Sequence, residues 1–389
     1  IIAYIFNYII QTIIMHRVTK VCSVFAFLLL VSVITLPATA EKTEVTLTDI
    51  NGKQVTLKVP VDSMVLQYSG SGGPFYTLFA LEGKDGVKKI AAMDDGLNTN
   101  RNDIWKKFLE AVPELEKVPK VGEGKDLSVE TVISLKPDVL VVPKDSYKGA
   151  VEVYNKVEEA GVPVVVMDYH AETLENHKKS IELMGQLLGK EEKATELFND
   201  YKAQMDVVSN KLSQISGVKP RVYVECAGKS ADEIYNTYSK YMWGALVSNC
   251  GGDNIAEGAI ETYGPISQEV ILKKDPEVII YTGSYWPKES KSFRLGFAST
   301  EKSAQESLAP YLKRTGWEEI SAMKNNRVYG VYHGLGRDII DFAAFQFLAK
   351  AMYPEQFKDV DPEKNLKEFF AKYLPVDLSG VWFVEPTTQ

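Results

Sequence analysis

Histidine and cysteine are scarce in this chain: four His and three Cys among 389 residues. A metal centre built from protein side chains alone wants three or four converging donors, and so few histidines argue against one. The cysteines, Cys22, Cys226 and Cys250, include no C-x-x-C pair, which removes the usual zinc and redox patterns. G-x-S-x-G and H-E-x-x-H are missing, no Ser–His–Asp set stands out by spacing, and no G-K-[ST] follows the one glycine-rich run. Hydrolase and nucleotide-hydrolysing chemistry therefore lack their machinery, and an α/β hydrolase or metalloenzyme is the disfavoured alternative. No block of Lys or Arg occurs, and the formal net charge is -8, so a nucleic-acid backbone is not the expected partner.

The N-terminus reads as targeting material. Met15–Lys20 is a basic start, Val21–Ile34 an apolar run too short to span a bilayer with ease, and Ala38-Thr39-Ala40 a small-residue cleavage site. The Ile-rich residues 1–14 are read as translated upstream sequence. Cleavage after Ala40 would release the protein into a periplasm, as a monomer, with residues 41–389 mature. Cys22 precedes the apolar run and so is not placed as a lipid acceptor. In an oxidising compartment Cys226 and Cys250 are expected as two buried thiols, with a disulfide the alternative.

The longest uninterrupted helical stretch is 190–216, without Gly or Pro. Leu197, Tyr201, Met205, Val208, Leu212 and Ile215 recur on one face, and a helix of that length would run about 40 Å. A repeated phrase flanks it: Glu130 stands seven residues before Pro137-Asp138-Val139, and Glu269 seven residues before Pro276-Glu277-Val278. Elsewhere apolar strand-like runs alternate with helices, after an opening hairpin around Asn51-Gly52. The expected fold is α/β, with two Rossmann-like sandwich lobes, 41–189 and 217–389, joined by one long rigid helix over 190–216 and a ligand cleft between the lobes.

With this architecture the chain resembles the class III periplasmic substrate-binding proteins of ABC importers, from Glu44 to about Leu374. The phrases that carry the resemblance are TLTDINGKQVTL (46–57), LSVETVISLKPDVLVVP (127–143), GGDNIAEGA (251–259), PISQEVILKKDPEVIIYTG (265–283) and LAKAMYPEQFKDVD (348–361). The resemblance implies delivery of an Fe(III)-siderophore, haem or cobalamin to a permease dimer in the inner membrane. It also implies that one exposed Glu per lobe docks on that permease, at the positions of Glu130 and Glu269. Met93-Asp94-Asp95-Gly96 stands where haem binders often carry a Tyr ligand, which counts against haem. An iron complex of siderophore type is the expected ligand, with no cofactor of the protein's own; molybdate, tungstate or a bare metal ion are the alternatives within the fold.

Strand ends supply the expected cleft. In the first lobe these are Tyr68 and the Ser69-Gly70-Ser71-Gly72-Gly73 run, whose backbone N–H groups suit an anion, then Met93, Lys144, Asp145, Tyr147, Tyr169 and His170. In the second they are Glu225, Tyr235, Tyr238, Tyr285, Trp286, Tyr332, His333 and Arg337. Aromatic faces suit a planar or catecholate ligand, Arg337 an anionic group, and His170 and His333 an iron coordination sphere. His177, inside a helix, is assigned no role.

Overall fold

The computed structural model describes residues 41–67, 72–169 and 174–386, and those from Lys42 onward belong to one compact unit. Residues 1–40, where a leader is expected, and Tyr68, Ser69, Ser71 and His170 lie outside the described residues.

The opening hairpin pairs β1 (Thr43–Thr48) with β2 (Gln54–Val59). Its turn takes five residues rather than the two of a tight Asn-Gly turn. The buried Asp49 carboxylate accepts the amides of Asn51 and Lys53, both at 2.9 Å, and Gly52 takes the positive φ of 82°. The first parallel sheet contains β3 (Met64–Leu66), β4 (Ile90–Met93), β5 (Val139–Pro143) and β6 (Val164–Met167), in the order β4-β3-β5-β6. The second has β7 (Arg221–Cys226), β11 (Val278–Gly283) and β12 (Val328–Tyr332), flanked by the two-residue β9 (Asp253–Asn254) and the antiparallel edge β13 (Phe383–Val384). A separate ribbon pairs β8 (Thr237–Tyr238) with β10 (Tyr263–Gly264). Residues of β5, β6 and β11 are buried throughout, as expected of strands covered on both faces.

The helices that matter for the site are few. α1 (Gly73–Glu82) follows β3, with Pro74 in its first turn, and every residue from Gly73 to Leu81 is buried. A helix apolar all round is a core helix, and its N-terminus is thereby fixed in the interior. α2 (Gly96–Asn100) and α3 (Asn102–Ala111) follow β4. α4 (Val129–Leu135) leads into β5. α5 (Lys144–Gly149) and α6 (Val151–Glu159) follow it, and α7 (Leu174–Leu188) follows β6.

The long helix is α8 (Glu191–Leu212), 22 residues and about 33 Å, between the last strand of one sheet and the first of the other. It stops four residues short of the sequence expectation. Amides of Gln214 and Ile215 bond three residues back, to Lys211 and Leu212, so the last turn tightens and ends among serines, which compete with the helical ladder. Leu197, Tyr201 and Val208 are buried, and Met205, Leu212 and Ile215 pack half-buried on the core. The longer helices of the second lobe are α9 (Trp243–Asn249), α10 (Gln268–Lys274) before β11, α11 (Glu301–Leu308), α12 (Asp341–Met352) and α13 (Pro362–Tyr373). Sequence periodicity missed α11 and α13. The capping side chains of Thr300 and Asp361, and Pro362 after the latter, were the available signals.

Cys226 and Cys250 are both free and buried. The Cys250 thiol reaches the Phe345 carbonyl at 3.3 Å, and Cys226 lies beside the Tyr238 hydroxyl.

Candidate functional site

In both sheets the chain reverses its direction of winding beside the first central strand, between β3 and β5 and between β7 and β11. Open α/β sheets form their crevice at the carboxyl ends of such strands. The residues there meet across the seam between the lobes.

Two side chains of the first lobe reach into the second. Asp103, at the start of α3, accepts the Phe297 amide at 2.9 Å through Oδ2. Arg101, two residues earlier and just before the helix, sits on the Gly334 backbone: a methyl group placed on Gly334 would come within 2.7 Å of its guanidinium. Both are buried. Burial pushes the Asp103 carboxyl up to about 6, against the pull of the Ile104 and Phe297 amides and of Arg101.

On the other side, His333 opens a glycine-rich turn at the end of β12. Its Nδ1 pairs with Thr282 Oγ1 at 2.8 Å, so Nε2 is the nitrogen left for the cleft, with no hydrogen-bond partner among the described residues. Three aromatic rings frame it, with centroids at 5.6 Å for Trp286, 6.2 Å for Trp243 and 6.4 Å for Tyr238. Burial, with the Arg337 and Arg101 charges nearby, holds the imidazole well below its ordinary value. It is a neutral base inside an aromatic frame.

The seam also holds a carboxylate that the sequence reading passed over. Asp338 is fully buried and has a φ of 95°, a region non-glycine residues rarely enter. Its Oδ2 lies against Gly72, the residue that begins α1, where a methyl group would overlap it. Gly73 is as constrained, since a methyl there would overlap the Tyr169 ring. Glycine at these two positions lets Asp338 and Tyr169 approach the helix end.

Of the expected site residues, Gly72, Gly73, Tyr238, Trp286, Tyr332, His333 and Arg337 come together at this seam. Tyr332 is buried there with its ring beside Gly296 and Gly334. Tyr169 lies behind α1 with its hydroxyl 2.7 Å from that of Thr77, and burial pushes the phenol up. Met93 is fully buried at the end of β4, its backbone held by Pro119 and Val121. Tyr147 stands apart, stacked on Tyr154 at 5.4 Å. Lys144 pairs with Asp168 at 3.1 Å, and Asp145 accepts from Tyr241 of the second lobe at 3.1 Å. Tyr235 lies near Gly228 and Trp286, and Tyr285 stacks under Arg294. Glu225 is not a cleft residue. It is fully buried and held bidentately by Arg314 at 2.5 and 2.7 Å, with further bonds from Tyr223 and the Tyr235 amide.

Arg101, Asp103, Trp243 and Asp338 escaped the sequence reading. The glycine-rich run His333–Asp338 after a strand was a signal for the last of them. A depression of about 460 Å³ lined by Lys84, Lys88 and Pro119 opens beside Ile90, at the opposite end of β4 from the seam.

Glu130 and Glu269 are exposed and occupy equivalent places. α4 and α10 have seven residues each. Each is capped by a serine side chain accepting the amide three residues on, Ser128 from Thr131 and Ser267 from Val270. Each carries its Glu second in the helix and ends on a left-handed residue, Lys136 at 47° and Asp275 at 46°. Each helix leads into a central parallel strand, the first into β5 and the second into β11.

Residues 73–332 match the family described as periplasmic binding protein. The chain belongs to that family. The TroA-like periplasmic binding protein FepB of Veillonella parvula is 45% identical, superposes with a TM-score of 0.84 and aligns with 88% of this chain and 100% of its own. The ABC transporter substrate-binding lipoprotein YvrC of Bacillus subtilis is 28% identical over 68% of this chain and 76% of its own length. The molybdate-binding protein MolA of Haemophilus influenzae is 24% identical over 74% of this chain and 81% of its own. This periplasmic binding protein is thus the substrate-binding component of an ABC importer, a non-enzymatic part that works with a membrane permease outside the cytoplasm. No helix among its described residues is long and apolar enough to cross a membrane.

Proposed function

We propose that the cargo is an iron complex of siderophore type, held at the seam between the lobes. The observation that carries this reading is the setting of His333. A neutral imidazole nitrogen faces the cleft inside a frame of Tyr238, Trp243 and Trp286, with Arg337 and Arg101 in range. Flat rings suit catecholate or other planar donors, the guanidiniums suit their negative charge, and imidazole suits iron. Among the described residues no three His, Cys, Asp or Glu side chains converge as a metal site, so on this reading the metal arrives with donors of its own.

α8 is then the element that sets the distance between the lobes, and a continuous helix favours a largely preformed cleft over wide hinge opening. Glu130 and Glu269, one per lobe, would dock on the two halves of the permease, where paired carboxylates give orientation through charge-assisted bonds.

A second reading, a tetrahedral oxyanion, has its own support. The N-terminus of α1 at Gly72-Gly73 is a backbone seat for an anion, and the molybdate-binding relative aligns over most of the chain. The test is purification followed by titration. An iron-complex absorption band, and quenching of tryptophan fluorescence by ferric catecholates with saturation, are expected. Saturable binding of molybdate with none of a ferric complex would replace the first reading by the second.

A further inference from the structure

Thr282 is fully buried near the end of β11. In the parallel register it lies level with Cys226 of β7 on one side and Val331 of β12 on the other, and His333 follows Val331 by two residues. Residues level with one another on parallel strands share a face of the sheet. The Thr282 hydroxyl, the Cys226 thiol and the His333 imidazole are thereby brought together beside the seam.

A buried hydroxyl proton needs an acceptor. Among the described residues the Thr282 hydroxyl meets two polar side chains, His333 through Nδ1 at 2.8 Å and Cys226 through its sulfur. Sulfur is a weak acceptor, and burial pushes the Cys226 thiol up to about 11, which keeps it from becoming a thiolate that would take the bond strongly. An imidazole nitrogen without its proton is a full acceptor. The hydroxyl is therefore directed at Nδ1, and since His333 is neutral its one proton lies on Nε2. The opposite arrangement would aim the hydroxyl proton at sulfur inside the core. Nε2–H instead faces the cleft from a half-buried residue, where solvent or cargo can accept it.

We propose that Thr282 is a positioning residue for the choice of cargo: it holds His333 with Nε2–H toward the cleft, so that the imidazole donates to an oxygen carried by the cargo. The inference rests on a cargo bound at the seam beside His333, and it adds what that cargo must bring. Its metal is already saturated by donors of its own, and one of its electron-rich oxygens turns to the cleft. Iron could claim Nε2 itself only after the proton moved to Nδ1, and the Thr282 hydroxyl would then be turned from a full acceptor to a weak one.

The tautomer is read on the full chain labelled with nitrogen-15 histidine, with His333→Gln to identify the signals. The free wild type near neutral pH should carry the proton on Nε2. A proton on Nδ1 overturns the proposal, whatever the protein binds. Thr282→Val removes the hydroxyl at nearly the same size, and Thr282→Ser restores it. In tryptophan-fluorescence titrations with the ferric complex of 2,3-dihydroxybenzoate, the valine variant should bind about ten-fold more weakly than the wild type and the serine variant within about three-fold of it. Equal affinity of the wild type and the valine variant overturns the role of Thr282. With the diamagnetic gallium(III) complex in place of the ferric one, the Nε2–H signal should persist and shift on binding. Transfer of that proton to Nδ1 on binding would mean direct ligation and overturns the proposal. Where the valine variant does not fold, the wild-type spectra, free and with the gallium complex, decide alone. Absence of binding of either complex by any form removes the iron-complex reading, and the proton position in the free protein still decides this one.

Discussion

Tyr201 on α8 donates a hydrogen bond to Asp341 at the start of α12, across 2.7 Å of fully buried interior. His177 of α7 stands 2.9 Å from the other carboxylate oxygen, and its ring stacks on Tyr201 at 5.1 Å. One carboxylate therefore pins the long helix and the helix before it to the second lobe.

Removing that carboxylate should cost more than removing either partner. Asp341→Ala leaves a buried phenol and a buried imidazole without it, and a loss of about 3–5 kcal/mol is expected. Tyr201→Phe removes one hydrogen bond and keeps the stack, for about 1–2 kcal/mol. Urea unfolding of the two variants and of the double variant checks both values. Strict additivity in that cycle would show that Tyr201 and Asp341 do not act together.

The docking role proposed for Glu130 and Glu269 gives a prediction that separates binding from transport. Glu130→Lys with Glu269→Lys reverses charge at two exposed helix starts outside the seam cluster. Cargo affinity of the double variant should match the wild type, and uptake in vesicles carrying the cognate permease should be abolished, with single variants intermediate. A fall in cargo affinity would move these residues from the docking face into the cleft.

Much of this was legible in the sequence, for identifiable reasons. Glu130 and Glu269 were found because a helix, a left-handed stop, a proline and a buried strand leave a strong local pattern, and it occurs twice. The stripe from Leu197 to Ile215 was found because helical periodicity is local as well. The site was read less well. Glu225 looked like a cleft residue from its place at a strand end, but Arg314, far along the chain, claims it. His177 had no visible role because its partner Asp341 lies in the other lobe. Asp338 and Arg101 are set by contacts across the seam, which no local spacing encodes.

Asp103 predicts a pH dependence of stability. Its folded-state value of about 6 lies above the ordinary carboxyl value of 3.8, so between these values the folded protein holds a proton that the unfolded chain has lost. The associated stability is fully present below the unfolded value and is lost as pH rises through about 6. The difference corresponds to about 3 kcal/mol. Asp103→Asn, which can still accept from Phe297, should match the wild type near pH 4 and exceed it above pH 7, in urea melts across that range. Parallel pH profiles for the two proteins would refute the assignment.

Arg314 offers a prediction that tests the correction of Glu225 directly. Its guanidinium holds Glu225 with two parallel bonds and donates to the Ala231 and Glu233 carbonyls. It also lies over the rings of Trp317 at 4.9 Å, Tyr311 at 5.2 Å and Tyr281 at 5.5 Å. A lysine matches neither the planar fork nor the ring contacts, so Arg314→Lys should rescue little of the loss caused by Arg314→Ala. That loss is expected at about 3–5 kcal/mol, because it strands a fully buried carboxylate. Glu225→Gln keeps the shape but puts an NH2 donor where one acceptor oxygen faced Arg314, so it should unfold more readily while binding cargo as the wild type does. Stability read by urea and affinity read by tryptophan fluorescence on the same samples decide the matter: a weakened affinity at unchanged stability would return Glu225 to the cleft.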